Sequence, residues 1–229
     1  MILLGIETAT TVCAAALVRD GSVMEEALLD SQNVHDERLV GQVDEVLRRA
    51  GIGIGSVDAI AVSIGPGSFT GLRIGVSVAK GLAYAAALPV IGVPTLAALA
   101  HHAAAVDALP AGTSLLAALD ARRDEVYCQL FTGERDHLAP AWDAAAMTVG
   151  ELRQLIGGRK ILVAGNGAHK VIGGEGAPIP EARAASPEAS QCSAAAVALL
   201  GGAMMQAGAR DDAATLEPRY IKEFFLKTR

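Results

Sequence analysis

Aromatic residues, cysteines and positive charge are all scarce in this chain of 229 residues. Only 3% of the residues are aromatic although 52% are hydrophobic, so the core must be built mainly from Ala, Val, Leu and Ile. A net charge of −6 argues against a protein that binds nucleic acid by itself, because neutralising phosphates requires a clustered basic surface. The basic residues that do cluster lie at the end, and we interpret them as a solvated tail or as a contact with RNA held by a partner: Arg219, Lys222, Lys227 and Arg229.

The three cysteines, Cys13, Cys128 and Cys192, are odd in number and lack metal-ligand spacing. This pattern predicts small buried hydrophobic residues in a reducing compartment. The apolar beginning of the chain has no basic region before it and is interrupted by Glu7, which is unlike a signal peptide. The longest apolar window, 194–205, is too short to cross a bilayer. We therefore expect a cytoplasmic protein with no membrane association.

A glycine-rich stretch from Gly65 to Gly75 is the most informative feature that is present. It follows an apolar strand at 59–64 and precedes a helical pattern at 72–87. Gly65 and Gly67 allow a tight turn that could aim free N–H groups at a phosphate above the helix N-terminus. The same glycines could instead let the helix pack closely on the sheet. The sequence leaves both interpretations open.

The first half of the chain reads as strands and helices in the order βββαβαβα, which is typical of a mixed α/β protein. Asp20 and Gly21 predict a hairpin turn between the second and third strands. Besides the strand at 59–64 and the helix at 72–87, strands are expected at 2–6, 12–18, 23–29 and 89–93, and helices at 36–50 and 95–105.

The second half resembles the opening. An apolar strand ends on an acid at Glu7 and again at Asp120, and a polar turn and a second strand follow each of them. A strand at 160–164 also leads into a glycine turn, as at Gly65. We predict two related lobes, 1–106 and 107–229, the second ending in a helical tail. Together they resemble the actin-like (ASKHA or RNase H-like) architecture, in which nucleotide phosphates lie between the lobes.

Candidate chemistry is sparse. Glu7 and Asp120 could hold Mg²⁺ across a cleft, or each could cap its own turn. His35 stands at the start of the first helix, but a metal site on one helical face needs a second ligand four residues later, where Leu39 stands. No nucleophile elbow or HExxH pattern occurs. We therefore predict no catalytic residue and no metal site.

The helix after the glycine loop has a ridge of minimal side chains, at Gly71, Gly75 and Ala79. Such a ridge lets another helix approach closely. That helix could be the chain's own first helix or one from another subunit. A polar stripe runs beside the ridge: Arg73, Ser77, Lys80 and Tyr84.

Several segments together resemble the TsaB family, also called YeaZ. They are Ile6–Thr10, His35 with Leu39, Val43–Leu47, Gly65–Gly75, Gly92–Leu96, Asp120–Tyr127 and Pro218–Lys222. The resemblance is dense over 1–127 and thin over 131–215. One departure is Glu7, where the family usually has Asp, and it leaves open a residual nucleotide contact at Glu7, Gly65, Gly67 and Asp120.

The resemblance implies a non-catalytic subunit that binds and supports TsaD, together with the ATPase TsaE. That complex transfers threonylcarbamoyl to N6 of adenosine 37 in tRNAs that read codons beginning with A. ATP and a metal ion are then expected on the partners and no cofactor on this chain, which would meet tRNA only through the complex and form a homodimer when alone. The expected partner surface is His35, Leu39, Val43, Leu72, Arg73, Gly75, Val76, Ala79 and Lys80.

Two other functions remain open at this point. An independent actin-like small-molecule kinase or ATPase would bind nucleotide by itself, with Glu7 and Asp120 organising magnesium. A metallopeptidase is weaker still, because the chain lacks a pair of metal ligands.

Overall fold

A computed structural model describes residues 1–31, 35–133, 137–173, 179 and 181–222. The predicted tail residues Lys227 and Arg229 lie outside these ranges. The described part forms two mixed β-sheets with helices on their faces and between them.

The first sheet has the strand order β3-β2-β1-β4-β5. β1 pairs antiparallel with β2 and parallel with β4, and β4 pairs parallel with β5. Asp20 and Gly21 both have positive φ, so the predicted hairpin between β2 and β3 is confirmed. The strands are β1 Ile2–Glu7, β2 Val12–Arg19, β3 Ser22–Asp30, β4 Ala59–Gly65 and β5 Val90–Pro94.

Helices α1 (His35–Arg49) and α2 (Phe69–Ala86) cover one face of the first sheet. The two helices also contact each other. α2 begins three residues before its predicted start, because the Ser68 hydroxyl caps the helix by accepting the N–H of Gly71.

The second sheet repeats the arrangement of the first. Its order, β11-β10-β6-β7-β8, puts an antiparallel β6–β7 pair beside two parallel strands, as in the first sheet, and β9 also pairs with β7. The predicted internal repeat is therefore present in the topology. The strands are β6 Ser114–Asp120, β7 Glu125–Thr132, β8 Ala139–Pro140, β9 Ala145–Thr148, β10 Ile161–Ala164 and β11 Ala182–Ala184.

Helices α3 (Thr95–Val106) and α6 (Ala194–Gln206) pack against each other and link the two lobes. α3 packs its leucines on β6 of the second sheet, whereas α6 lies on β1, β2 and β4 of the first. Gly5 makes the α6 contact possible, since a Cβ there would strike the Ala194 carbonyl. α6 falls within the predicted second lobe, 107–229, but its small side chains pack on the first sheet. The lobe boundaries stay a prediction.

The outer face of the second sheet carries α4 (Val149–Ile156) and α5 (Ala168–Gly173). A helical C-terminal tail is not found in the part of the tail that the structure describes, because residues 207–222 have no regular helix. That segment instead follows the edge of β5 and returns to the glycine loop.

Candidate functional site

A cleft of about 950 Å³ opens between the two lobes at the ends of β1 and β6. The turn after β1 and the glycine loop form one wall, and the β6–β7 turn forms the other. Gly67 and Asp120 line this cleft, as expected, whereas the side chain of Glu7 does not. Gly65 lies beside a smaller neighbouring cavity. Four cationic side chains also line the cleft: Arg122, Arg123, Arg219 and Lys222.

Two backbone N–H groups of the glycine loop donate to other parts of the fold. Ser68 donates its N–H to the Ala9 carbonyl over 2.7 Å, and Gly65 donates to the Thr95 hydroxyl over 3.1 Å. A Cβ at Gly67 would collide with Ala9, so this glycine is needed for close packing. These contacts support the packing interpretation of the loop, and a phosphate contact stays a prediction.

The small-residue ridge of α2 faces the turn after β1. A Cβ at Gly71 would strike the Thr8 carbonyl, and one at Gly75 would strike the Thr8 hydroxyl. Ala79 is fully buried in the core beneath α1 and α2. Thr8 of the same chain occupies the space next to Gly71 and Gly75. A contact between Gly75 and another subunit stays a prediction.

Most of the other residues of the predicted partner surface also make contacts within the chain itself. Their apolar side chains are buried in this protein's own core: Leu39, Val43, Leu72 and Val76. Lys80 donates to the carbonyl oxygens of Ala214 and Leu216, and the Arg73 guanidinium stacks 3.8 Å from the Phe69 ring centre. A surface on α1 and α2 stays a prediction, but these side chains are not its apolar centre.

The outward face of the same two helices carries two large exposed apolar groups. Val40 on α1 is 60% exposed, and Tyr84 on α2 is 90% exposed. Gly41 and Gly81 are exposed beside them, with nothing within 4 Å of either Cβ position. We call Val40, Gly41, Gly81 and Tyr84 the outer helix face. Sequence reasoning missed Val40, although an apolar residue beside the buried stripe of α1 was a visible signal.

Glu7 is 1% exposed at the end of β1. Its Oε1 accepts the N–H of Ala9 over 2.5 Å. Burial raises the pKa of Glu7 to about 7, against the opposing effect of the Ala9 N–H and the Ser63 hydroxyl. The structure therefore supports the turn-capping interpretation of this carboxyl.

Asp120 stands at the equivalent end of β6 and caps its turn in the same way. Its Oδ1 accepts the N–H of Arg122 and the ammonium of Lys170, both over 2.6 Å. Desolvation raises the pKa of Asp120, but the Lys170 and Arg122 contacts outweigh it and the pKa falls below its usual range. The paired Glu7 and Asp120 of the magnesium interpretation do not both face the cleft, because Glu7 is enclosed by its own turn.

His35 is buried at the start of α1, with Nε2 3.1 Å from the Val12 carbonyl oxygen. Because a carbonyl oxygen only accepts, this contact requires the proton on Nε2. Leu39, one helical turn further on, is fully buried in the apolar core. No group of three His, Cys, Asp or Glu side chains with metal-site geometry occurs within the described ranges.

A repeated sheet order with a cleft at the strand ends defines a two-lobed protein of the actin-like class. A solved structure of this fold, the activator of the 2-hydroxyisocaproyl-CoA dehydratase from Clostridium difficile with bound ADPNP, covers 93% of the chain with a TM-score of 0.52. The identity is only 9%, so this likeness concerns the fold alone.

Closer matches identify the family. The family model for TsaD, tRNA N6-adenosine threonylcarbamoyltransferase, matches residues 29–223. The structure of YeaZ from Pseudomonas aeruginosa is 30% identical with a TM-score of 0.81, and the alignment covers 96% of this chain and 99% of that one. The chain therefore belongs to the family that the TsaD model describes, and it is a member of the TsaB (YeaZ) family.

Among curated relatives, the tRNA threonylcarbamoyladenosine biosynthesis protein TsaB of Haemophilus influenzae is 42% identical over 125 residues, which are 55% of this chain and 51% of that protein. The match with the Escherichia coli protein of the same name is also 42% identical, over 127 residues. The chain spans about half the length of the curated relatives it matches. Within the described residues, no helix is both long and apolar enough to cross a membrane.

Proposed function

We propose that this chain acts in the biosynthesis of tRNA threonylcarbamoyladenosine as a non-catalytic subunit that binds and supports TsaD. The family and the names of its relatives support the pathway. The threonylcarbamoyl group would be transferred by TsaD, with ATP hydrolysed by TsaE. This chain would contribute no cofactor of its own, and it would meet tRNA only through the complex.

The observation that carries the non-catalytic role is the pair His35 and Leu39. A helix that holds a metal through histidines one turn apart needs both side chains directed at the ion. Here the first histidine donates a hydrogen bond to the Val12 carbonyl, and the position of the second is an apolar residue inside the core. The helix is thus used for packing the first sheet.

The partner surface that we propose is the outer helix face. A tyrosine that is 90% exposed on α2 and a valine that is 60% exposed on α1 present apolar area that the chain itself leaves uncovered. Tyrosine is enriched among residues that dominate the affinity of interfaces. The exposed glycines Gly41 and Gly81 allow a second helix to approach closely. This arrangement supports packing between helices of two subunits, with TsaD as the partner or a second copy when TsaD is absent.

The test of the role is a reconstituted transfer reaction with TsaD and TsaE from the same organism, threonylcarbamoyl-adenylate and unmodified tRNA. We expect no product with this chain alone and a strong fall in product when this chain alone is left out. Product formed by the isolated chain, or full activity without it, would contradict the proposal. Binding of ATP by the isolated chain would instead favour an independent actin-like kinase or ATPase.

A further inference from the structure

The C-terminal segment 211–222, which we call the strap, runs from the edge of the first sheet across to the second lobe. Asp211 starts it by bridging to Val90 of β5, and the Asp211 carboxylate accepts the N–H of Gly92 over 2.8 Å. Beyond this bridge the strap has no helix or strand. Its course must therefore be fixed by individual contacts.

Contacts with the first lobe fix most of its length. The Lys80 ammonium donates to the Ala214 and Leu216 carbonyl oxygens, both over 3.1 Å, and the Leu216 side chain is buried in the first core. Arg219 donates its N–H to the Ile64 carbonyl over 2.6 Å. The Arg219 carbonyl lies so close to Gly65 that a Cβ there would be 2.5 Å from it. This end of the strap is thus held by backbone contacts and a buried side chain.

Tyr220 then lies against the first turn of α2, at the mouth of the cleft. Its ring centre is 5.0 Å from that of Phe69, and its hydroxyl accepts a hydrogen bond from Arg73 Nε over 3.0 Å. The strap residues Arg219, Tyr220, Ile221 and Lys222 all line the cleft.

Lys222 carries the strap onto the second lobe. Its ammonium is 2.5 Å from Oε2 of Glu125, the first residue of β7, and 3.1 Å from the carbonyl oxygen of Ala121 in the β6–β7 turn. The Lys222 and Glu125 side chains are 31% and 30% exposed, and partly exposed ion pairs of this kind are weak. The strap therefore has a firmly held end on one lobe and a weakly held end on the other.

We propose that the strap is a latch that sets how far the cleft opens, with the Lys222–Glu125 pair as its releasable end. Breaking the pair frees the second lobe to move relative to the first, while the buried contacts keep the strap on the first lobe. Because the lobes also share the packing of α3 and α6, release widens the cleft without separating the lobes. The device is independent of the proposed role beside TsaD.

The test is the distance between the lobes, measured by pulsed electron paramagnetic resonance on full-length protein. Spin labels on Ser77→Cys in α2 and Gln154→Cys in α4 report it, since both positions are exposed and the three native cysteines are buried. We expect Lys222→Met and Glu125→Gln each to shift the ratio of closed to open protein by roughly two- to fivefold, the range of a partly exposed pair. Lys80→Met is the matched control, because its contacts hold the strap within the first lobe only.

The ratio of closed to open protein should change no further in the double variant with Lys222→Met and Glu125→Gln than in Lys222→Met alone, because both substitutions remove the same ion pair. The charge swap Lys222→Glu with Glu125→Lys should recover part of the wild-type distribution, because it remakes the ion pair but not the hydrogen bond to the Ala121 carbonyl oxygen. Unchanged distances in both single variants, or an equal shift in Lys80→Met, would overturn the latch.

Discussion

Gly75 lies directly beneath the hydroxyl of Thr8, so close that a methyl group at this position would overlap the Thr8 Oγ1 atom. Gly71 stands in the same relation to the Thr8 carbonyl, one turn earlier. The second helix therefore clamps the turn after β1, because both glycines lie against Thr8 in that turn. Both glycines serve the fold before any partner is considered.

The clamp predicts that Gly71→Ala destabilises the protein. The new methyl group would meet a backbone atom, which can yield only by moving the turn, and such overpacking typically costs about 1–3 kcal/mol. Gly81→Ala is the matched control on the same helix, because it is exposed with open space around it. It should stabilise by roughly 0.5–1 kcal/mol through the higher helix propensity of Ala. Urea unfolding of the two variants measures the contrast, and equal effects would contradict the clamp.

The buried carboxyl of Glu7 predicts a distinctive dependence of stability on pH. Its pKa rises from 4.5 to about 7 on folding, so the folded state holds the proton over a range where the unfolded state has lost it. The contribution of Glu7 to stability is therefore fully present below about pH 4.5 and is lost as pH rises through about 7, with a total loss of about 3 kcal/mol.

Glu7→Gln removes this ionisation, so the variant should gain stability over wild type as pH rises from 5 to 8. Glu151→Gln is the control, because hydrogen bonds from Thr148 lower the pKa of Glu151. For that group the stabilising contribution is present above its unfolded pKa of 4.5 and is lost as pH falls through its folded pKa. The difference between Glu151→Gln and wild type should therefore be nearly flat from pH 5 to 8 and have the opposite slope only at lower pH. A Glu7→Gln difference that is flat with pH would show that Glu7 ionises normally in the folded protein.

The burial of the three cysteines predicts that their thiols react slowly in the folded protein. All three are buried, and burial raises the pKa of Cys13 to about 11 and that of Cys128 to about 12. The pKa of Cys192 is also raised, chiefly by burial. Because the thiolate is the reactive form, folded protein at pH 8 should react with a disulfide reagent far more slowly than unfolded protein, which should titrate as three thiols. Rapid reaction of one thiol in the folded state would contradict this.

Much of the first lobe was predictable because its signals are local. The Asp20–Gly21 turn fixes a hairpin through its positive φ angles, and the apolar run before Gly65 is a buried strand. The internal repeat could also be predicted, because an acidic residue ends the first strand of each lobe, Glu7 in β1 and Asp120 in β6.

The rest depends on contacts between distant parts of the chain. The ridge of small residues on α2 predicted the close approach of a helix, whereas the group that lies against Gly71 and Gly75 is Thr8, which periodicity cannot reveal. The strap carries no periodicity, so neither its course nor the Lys222–Glu125 pair could be predicted. α6 was expected in the second lobe because it follows that lobe in sequence, yet Gly5 makes room for it on the first sheet.

The central claim is that this chain associates with TsaD through the outer helix face. Light scattering after size exclusion tests it most directly, on wild type, Tyr84→Asp and Leu155→Asp, each mixed with TsaD from the same organism. Leu155 is the control because it is also exposed, at 49%, but lies on α4 of the other lobe. We predict a heterodimer with wild type and with Leu155→Asp, and at least a tenfold loss of affinity with Tyr84→Asp, the effect of a charge at a central interface tyrosine. No association of the wild-type chain with TsaD, or undiminished association of Tyr84→Asp, would contradict the account.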